Sequence, residues 1–371
     1  MAAIAAAERP VLLLGSSCRE PLQDGALLAD LVAAAEHLAL PVMTTPEAKG
    51  VFPESHELSL RNYGIAACRW PQHYLADPAR GQFDALVVIG STLAGLDTNN
   101  WDPILVPNGP FIQIDADADV LGRAFPITRG VVGEMTAVLR SFVTAALTAS
   151  VDPAVVEQRL QHINDIKNDN SPFVDPDKRT STASPVAPQA LARIVNETIP
   201  PGGHIVVDAG NCVGWALHDM VIDPPTRMHS SLTMGPMGFA TAAVIGAKLA
   251  APEATCVAFV GDGGFLMQAS EVATAAQYAI GAIWVVLADH DLSMVSQGMV
   301  AVTGDKSYAD YYKIGWNDLA GVAQGLGAAA FNAETVDEVQ NALQSAIDGA
   351  ARGVPQVVVV AVDPAEAPPY D

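Results

Sequence analysis

Two aspartates, Asp262 and Asp289, lie in turn-like segments with the sequences Gly-Asp-Gly-Gly (261–264) and Ala-Asp-His-Asp (288–291). Carboxylate oxygens are the ligands that Mg²⁺ prefers, and glycines let backbone amides approach phosphate oxygens closely. This pattern is typical of a site for a divalent cation that carries a phosphate ester. An ordinary Asp-Gly turn beside a second acidic turn is the alternative that these residues alone leave open.

Each of these segments follows an apolar run, at 256–260 and 282–287, and a helical pattern at 270–280 separates the two runs. We therefore predict a strand, a turn, a helix and a second, parallel strand. The carboxyl ends of parallel strands meet at one edge of the sheet, which is where ligands bind in open α/β folds. The two aspartates should lie at that edge.

The remainder of the chain repeats this alternation of strands and helices. It predicts an α/β fold of two doubly wound domains with mostly parallel central sheets. We place a central domain at 1–175, a linker at 176–185 and a second domain at 186–371. Predicted strands occupy 11–15, 41–45, 83–90, 109–115, 204–207 and 355–362. Predicted helices occupy 26–40, 131–147, 188–199, 237–249, 316–326 and 335–347, the last with a Thr335/Glu338 capping box.

Composition excludes several classes of protein. Half of the 371 residues are apolar and 16% are charged, which indicates a globular protein with large cores. The net charge of −22 argues against nucleic acid and anionic membranes as partners. Four cysteines without metal-ligand spacing, no evident signal peptide and no membrane-length apolar run predict a cytoplasmic protein with reduced thiols.

The spacing from Asp262 to Asp289, 27 positions, resembles the thiamine-diphosphate motif, a Gly-Asp-Gly followed some two dozen residues later by Asn-Asn. Other segments are similar to acetolactate-synthase-like enzymes in the same order and spacing. In the first half these are 9–15, 40–45, 49–50, 53–56 and 112–117. In the second half they are 234–239 (MGPMGF), 245–249 (IGAKL) and 294–297 (MVSQ).

The resemblance implies that Mg²⁺ is held by Asp262, Asp289 and the backbone carbonyl of Asp291. It also implies that Met237 supports the thiazolium ring, although a core methionine would look the same. Catalytic roles are implied for Met237, Met294 and Gln297. The residues expected to contact thiamine diphosphate are Gly210, Asn211, Cys212, Gly235, Met237, Gly261, Asp262, Gly263, Gly264, Asp289, Asp291, Leu292, Ser293 and Met294.

The chain also departs from the family pattern. Ala288-Asp289 stands in place of Asn-Asn, and Asn211-Cys212 in place of Gln-His. Residues 90–93 lack the arginine with which acetolactate synthases hold FAD, so we expect no FAD. His290 fits an active-site acid or base and a turn residue equally well. Cys212 could be a reactive thiol, but no basic residue adjoins it.

The function implied is decarboxylation of a 2-oxo acid, pyruvate first among candidates, followed by ligation of the acyl carbanion to a carbonyl acceptor. Gly298 replaces a tryptophan of the family, so the acceptor should be bulkier than pyruvate. Simple decarboxylation and a non-catalytic, stabilising or regulatory role are the alternatives. No acidic residue here matches the family glutamate that contacts the aminopyrimidine ring. We therefore expect a second polypeptide to supply the pyrimidine-binding domain, in a split, heteromeric enzyme.

Overall fold

The computed structural model describes residues 1–315 and 317–370. These residues form two compact units, one of Met1–Val174 with Tyr370 and one of Asp175–Pro369. Inside the predicted linker, Pro176–Thr180 forms a short 3-10 helix. Both units are built on a six-stranded, all-parallel sheet, which confirms the predicted fold class.

The first unit contains β1 (Pro10–Leu14), β2 (Val42–Thr44), β3 (Ser59–Asn62), β4 (Ala76–Asp77), β5 (Gly81–Gln82), β6 (Ala85–Ile89), β7 (Phe111–Asp115) and β8 (Arg129–Val132). Its main sheet has the order β3-β2-β1-β6-β7-β8, while β4 and β5 form a separate two-stranded ladder. Counted along the chain, these six strands follow the 3-2-1-4-5-6 order of doubly wound folds. The central strands β1 and β6 are apolar and buried along their whole length, as is typical of parallel strands covered on both faces.

The helices of this unit are α1 (Ala2–Ala6), α2 (Gly25–Leu38), α3 (Arg69–Leu75), α4 (Met135–Leu147) and α5 (Pro153–Asp169). The predicted helix at 131–147 is wrong at its start, because residues 129–132 form the edge strand β8. Helix α4 begins only after Glu134, whose carboxylate accepts hydrogen bonds from the amides of Thr136 and Ala137 and so caps it. Helix α5 was not predicted, although Asp152 caps it and Pro153 occupies its first turn.

The second unit contains β9 (His204–Val207), β10 (Arg227–His229), β11 (Cys256–Gly261), β12 (Ile283–Ala288), β13 (Ala329–Ala333) and β14 (Gln356–Ala361). Its sheet has the order β10-β9-β11-β12-β14-β13. The two strands predicted to carry the aspartates are adjacent and parallel, with Val260 opposite Val286. The sequence did not indicate β10 or β13, which are the two edge strands.

The helices of this unit are α6 (Pro188–Thr198), α7 (Asn211–Asp219), α8 (Phe239–Ala250), α9 (Asp262–Gln268), α10 (Glu271–Gln277), α11 (Ser293–Thr303), α12 (Tyr308–Tyr311), α13 (Leu319–Gly325) and α14 (Val336–Ala350). The capping box at the start of α14 is confirmed. Residue 316, where the predicted helix 316–326 begins, lies outside the described residues. No helix within 1–315 and 317–370 is long and apolar enough to cross a membrane.

One correction concerns the segment that carries the first aspartate. We predicted a turn at 261–264 and a helix at 270–280, whereas α9 already begins at Asp262 and α10 follows it. The Gly-Asp-Gly-Gly sequence favours a turn by local propensity. Tertiary packing overrides that propensity, because Gly263, Gly264 and Phe265 are buried within α9.

Candidate active site

A cavity of about 250 Å³ lies at the carboxyl edge of the second sheet. Residues 209–212, 261–264, 289 and 291–295 line it, and these segments lie at or after the ends of β9, β11 and β12. Strands β9 and β11 are neighbours in the sheet although β10 separates them in the chain, so the winding reverses here. Ligands of open α/β sheets bind in the crevice at such a reversal.

Every residue that the resemblance assigned to the cofactor lines this one cavity, including Asp262, Asp289 and Asp291. Of the three predicted catalytic residues, Met237 and Met294 are in the wall and Gln297 is not. The wall also contains residues that sequence reasoning missed: Pro188, Ala209, Trp215, Leu287, Val295, Val362, Asp363 and Glu366. For Val362 and Asp363 the available signal was the end of β14, because they follow that strand, which lies beside β12.

The side chain of Asp262 connects the end of β11 to the loop after β12 by hydrogen bonds. Its Oδ1 accepts a hydrogen bond from the Gly263 amide at 2.8 Å, and its Oδ2 accepts one from the His290 amide at 2.7 Å. Burial and, after it, the nearby Asp289 carboxylate together raise the pKa of this carboxyl to about 7. A bound cation would stabilise the charged form of this carboxyl and lower its pKa again.

Asp289 is fixed by its own loop and by the first turn of α11. The Ser293 hydroxyl donates to its Oδ2 at 2.6 Å, and the Asp291 amide donates to its Oδ1 at 3.2 Å. Burial raises the pKa of Asp289, and the Asp291 carboxylate adds to that rise. Asp262 is thus a buried and Asp289 a half-buried carboxylate, both held in place by hydrogen bonds, and the charge of Asp289 disfavours ionisation of Asp262.

The charged side chains in the described wall of the cavity are all acidic. Among the described residues that line the cavity there are five carboxylates and no lysine, arginine or histidine. Among residues 1–315 and 317–370, no cluster of three or more His, Cys, Asp or Glu side chains is arranged to hold a metal. The predicted metal set differs from such a cluster, because its third ligand is a backbone carbonyl.

The two glycines after Asp262 are required by their neighbours. A Cβ at Gly264 would lie 2.2 Å from Oδ2 of Asp208, and one at Gly263 would lie 2.6 Å from Cδ2 of Leu292. The same Cβ at Gly263 would lie 3.3 Å from Cε of Met237. Met237 therefore packs against the Gly-Asp-Gly segment across the cavity, as its predicted role requires.

Asp208 was not singled out from the sequence, yet it organises one side of the site. It is the residue after β9 and is buried, and its carboxylate accepts hydrogen bonds from the amides of Gly238 at 2.9 Å and Ala240 at 3.4 Å. Burial raises its pKa. It caps the first turn of α8 and fixes the segment that leads from Met237 into that helix.

Asn211 and Gln297 form a second polar link. The Asn211 amide donates to Oε1 of Gln297 at 2.8 Å, and Gln297 donates to the backbone carbonyl of Glu366 at 3.0 Å. The Oδ1 atom of Asn211 is buried without a hydrogen-bond partner among the described residues. Gln297 thus connects the cavity wall to the chain after β14 instead of facing the cavity itself.

The structure limits the chemical roles that Cys212 and His290 could have. The Cys212 thiol is buried and donates to the Asp208 carbonyl at 3.2 Å, and burial raises its pKa. A reactive thiolate is therefore disfavoured at this position. His290 has a positive φ of 59°, and its backbone amide serves Asp262, which shows a structural use for its position in the turn.

Two family models match the chain. The model of the thiamine pyrophosphate enzyme central domain matches residues 1–142, and that of the C-terminal TPP binding domain matches residues 208–360. The second range contains the loops after β9, β11 and β12 that form the cavity.

Curated relatives match over nearly the whole chain. A putative acetolactate synthase large subunit of Mycobacterium tuberculosis is 31% identical over 96% of this chain and 60% of its own length. A probable acetolactate synthase large subunit of Methanocaldococcus jannaschii is 29% identical over 99% of this chain and 59% of its own. A sulfoacetaldehyde acetyltransferase of Castellaniella defragrans is 25% identical over 93% and 59%.

The chain thus spans about 60% of the length of the curated relatives it matches. The two family models, the doubly wound sheets and the cavity at the reversal of the second sheet agree with one another. The chain belongs to the thiamine pyrophosphate enzyme family, of which it carries the central domain and the C-terminal TPP-binding domain, and its homologues include acetolactate synthase large subunits.

Proposed function

We propose that this chain is a subunit of a thiamine-diphosphate-dependent enzyme that decarboxylates a 2-oxo acid, pyruvate, and joins the acyl group to a carbonyl acceptor. The observation that carries the proposal is the cavity, where Asp262 and Asp289 lie beside Gly263 and Gly264, at which a Cβ would come within 2.6 Å of a neighbouring side chain. The relatives named as acetolactate synthases and as a sulfoacetaldehyde acetyltransferase support this class of reaction.

Mg²⁺ would be held by the carboxylates of Asp262 and Asp289 and by the carbonyl of Asp291. The raised pKa of Asp262 supports this assignment, because a cation shared with Asp289 would stabilise the charged form of the buried Asp262 carboxyl. A wall without a basic side chain can bind a diphosphate only when a cation offsets its acids, so the metal and the cofactor should bind together.

When bound, thiamine diphosphate supplies the nucleophilic carbon and accepts the electrons released by decarboxylation. The residues of this chain orient it. Met237, packed against Gly263, supports the ring system from one side of the cavity. Asn211 lines the cavity, has a buried acceptor oxygen without a partner among the described residues and is held in place by Gln297.

The proposal of a bulky acceptor rests on Gly298. It lies in α11, is exposed and is not among the described residues that line the cavity, and a Cβ placed there would meet no atom within 4 Å. The surface beside this helix therefore has room for a larger group. Gly298→Trp should fill that space and reduce kcat/KM for bulky aldehydes and ketones at least tenfold more than for small ones.

We further propose that a pyrimidine-binding domain on a second polypeptide completes the site. Large apolar side chains are exposed on the segments that also form the cavity wall: Met234 is 84% exposed, Met267 55% and Val295 41%. Exposed apolar surface of this kind favours burial by a protein partner. The partner domain must cover the aminopyrimidine half of the cofactor. We expect apolar residues of that domain to pack against these methionines.

The test is a reconstitution. The purified chain is mixed with a purified pyrimidine-binding polypeptide from the same organism, thiamine diphosphate, Mg²⁺, pyruvate and a panel of aldehydes and ketones. We expect carbon dioxide release and a ligated product only with both polypeptides present, and co-elution of the two in gel filtration.

Other outcomes would contradict separate parts of the proposal. Acetaldehyde as the sole product would favour simple decarboxylation. Turnover by this chain alone, unchanged by the second polypeptide, would rule out the split site. A complex that forms but neither binds thiamine diphosphate nor turns over would favour the non-catalytic role.

A further inference from the structure

The side chain of Asp291, a residue that lines the cavity, has a buried oxygen without a hydrogen-bond partner among the described residues. Asp291 lines the cavity, and its side chain is only 6% exposed. Its Oδ2 accepts hydrogen bonds from the Ser296 hydroxyl at 2.9 Å and from Nζ of Lys313 at 3.2 Å. Its Oδ1 is buried and has no partner among the described residues. A buried carboxylate oxygen left unpaired is costly, which indicates a partner supplied from outside the chain.

The loop that carries this side chain is held by a second segment of backbone. Asp291 forms an isolated antiparallel bridge with Lys313. On either side of it, the Leu292 amide donates to the Tyr312 carbonyl at 3.1 Å, and the Ile314 amide donates to the His290 carbonyl at 2.9 Å. The unpaired oxygen is therefore fixed in position before any ligand arrives.

The surroundings limit what that partner can be. The described wall of the cavity contains no basic side chain, and Asp262 and Asp289 already favour a cation. Mg²⁺ in proteins usually retains several water molecules, and such waters are strong hydrogen-bond donors. The carboxylates that accept from them orient the inner ligands.

We propose that Oδ1 of Asp291 accepts a hydrogen bond from a water molecule of the bound Mg²⁺, so that Asp291 serves the metal with its side chain as well as its carbonyl. This inference rests on the proposed function, since it assumes that the cation binds with thiamine diphosphate. Ser296 and Lys313 hold the carboxylate in place without contacting the metal.

The experiment uses Mn²⁺ as the probe and the full-length chain with saturating thiamine diphosphate, together with the second polypeptide where binding requires it. Free Mn²⁺ is measured by electron paramagnetic resonance. We expect Asp291→Asn, which keeps the shape of the side chain, to weaken Mn²⁺ binding about tenfold or more. Its thermal unfolding without metal should match that of the wild type.

Two control variants separate this role from general effects. Asp363→Asn removes the same charge from the same wall, where the carboxylate already accepts from the Ala365 amide, so we expect less than a threefold change. Lys313→Met breaks the ion pair of Asp291 but leaves Oδ1 in place, so Mn²⁺ should bind at least as tightly as in the wild type.

Folded Asp291→Asn protein that binds Mn²⁺ within twofold of the wild type would overturn the inference. Equal weakening by Asp291→Asn and Lys313→Met would also overturn it, because the ion pair and not the free oxygen would then be responsible. Wild-type protein that leaves all Mn²⁺ free, with and without thiamine diphosphate, would instead contradict the proposed function, and the inference with it.

Discussion

Gly264 lies so close to the Asp208 carboxylate that a side chain at position 264 would overlap it. A Cβ at Gly264 would lie 2.2 Å from Oδ2 of Asp208, a buried carboxylate held by two amides of the α8 region. Gly264→Ala should therefore lower the free energy of unfolding by about 1–3 kcal/mol. It should also weaken binding of thiamine diphosphate with Mg²⁺, as measured by calorimetry.

The matched control is Gly246→Ala, in the interior of α8, where a Cβ would meet no atom within 4 Å. Alanine is the better helix former, so this variant should be as stable as the wild type or up to about 1 kcal/mol more stable. Urea unfolding measures both variants. If Gly264→Ala were as stable as Gly246→Ala, the close contact with Asp208 would be wrong.

Asp262 should reduce the stability of the metal-free protein. Its pKa of about 7 lies above the ordinary aspartate value because the charged form is buried near Asp289. The free energy of unfolding therefore falls as the pH rises from the ordinary aspartate pKa to about 7, because over this range the unfolded chain has already released a proton that the folded state retains. At pH 8 in the presence of a chelator, Asp262→Asn should raise the free energy of unfolding by about 1–2 kcal/mol.

The same substitution should abolish the protection that Mg²⁺ with thiamine diphosphate gives the wild type against thermal unfolding. Below about pH 4, where this carboxyl is protonated in the unfolded chain as well, the difference in stability between the two proteins should largely disappear. A variant that is less stable than the wild type at pH 8 without metal would contradict the buried, repelled carboxylate.

Among the elements, the segment between β2 and β3 has a fully buried ion pair. Nζ of Lys49 lies 2.8 Å from Oε2 of Glu54, and both side chains are 0% exposed. Burial lowers the pKa of Lys49. Glu54→Gln leaves the ammonium group without its counter-charge, so the free energy of unfolding should fall by about 3–5 kcal/mol.

Two further variants test whether burial is responsible. Lys49→Met with Glu54→Leu removes both charges and should recover most of the lost stability. Arg140→Ala breaks an exposed pair with Asp24 and should cost less than about 1 kcal/mol. Urea unfolding compares all of them, and a Glu54→Gln loss no larger than that of Arg140→Ala would refute the argument.

Elements that are apolar along their length could be predicted, and those decided by tertiary contacts could not. The runs that became β11 and β12 are buried throughout, so their strands and parallel pairing followed from composition and order. The edge strands β10 and β13 are short or only partly buried, and their sequences lack a strong apolar signal. Helix α9 begins within a Gly-Asp-Gly-Gly sequence because packing, and not propensity, determines it.

At the scale of the whole molecule, acid should unfold the first unit through His162. This residue in α5 is buried, stacks on Tyr74 and lies 3.0 Å from Oδ2 of Asp77. Burial lowers its pKa to about 4, from the ordinary 6.5. The unfolded chain therefore takes up a proton that the folded unit excludes, and stability falls as the pH drops from about 6.5 to about 4.

The loss over that range should reach about 3 kcal/mol, at about 1.4 kcal/mol per pKa unit. His162→Gln retains a donor for Asp77 but does not titrate, so its stability should change less over the same range. Asp77 itself, with a pKa lowered to about 2, loses its contribution only below the ordinary aspartate range. Parallel pH profiles for the two proteins would contradict the role of His162.

The part of the site that lies within the family's sequence motifs could be predicted. Asp262, Asp289 and Met237 were found because their spacing is fixed by β11, β12 and the start of α8. Asp208 and Glu366 were missed because their roles depend on which strand ends become neighbours in the folded sheet. Gln297 was assigned to catalysis from its motif, but its contacts with Asn211 and the chain after β14 place it behind the wall.

The five carboxylates around the cavity have a consequence for how a cofactor would arrive. Free thiamine diphosphate is an anion and would be repelled on approach, whereas its chelate with Mg²⁺ is nearly neutral. The chain would then bind only the Mg²⁺ chelate. The fraction of the chain that holds cofactor would follow the cellular concentration of free Mg²⁺ even when thiamine diphosphate is abundant. A cavity walled by acids would make the enzyme responsive to magnesium supply.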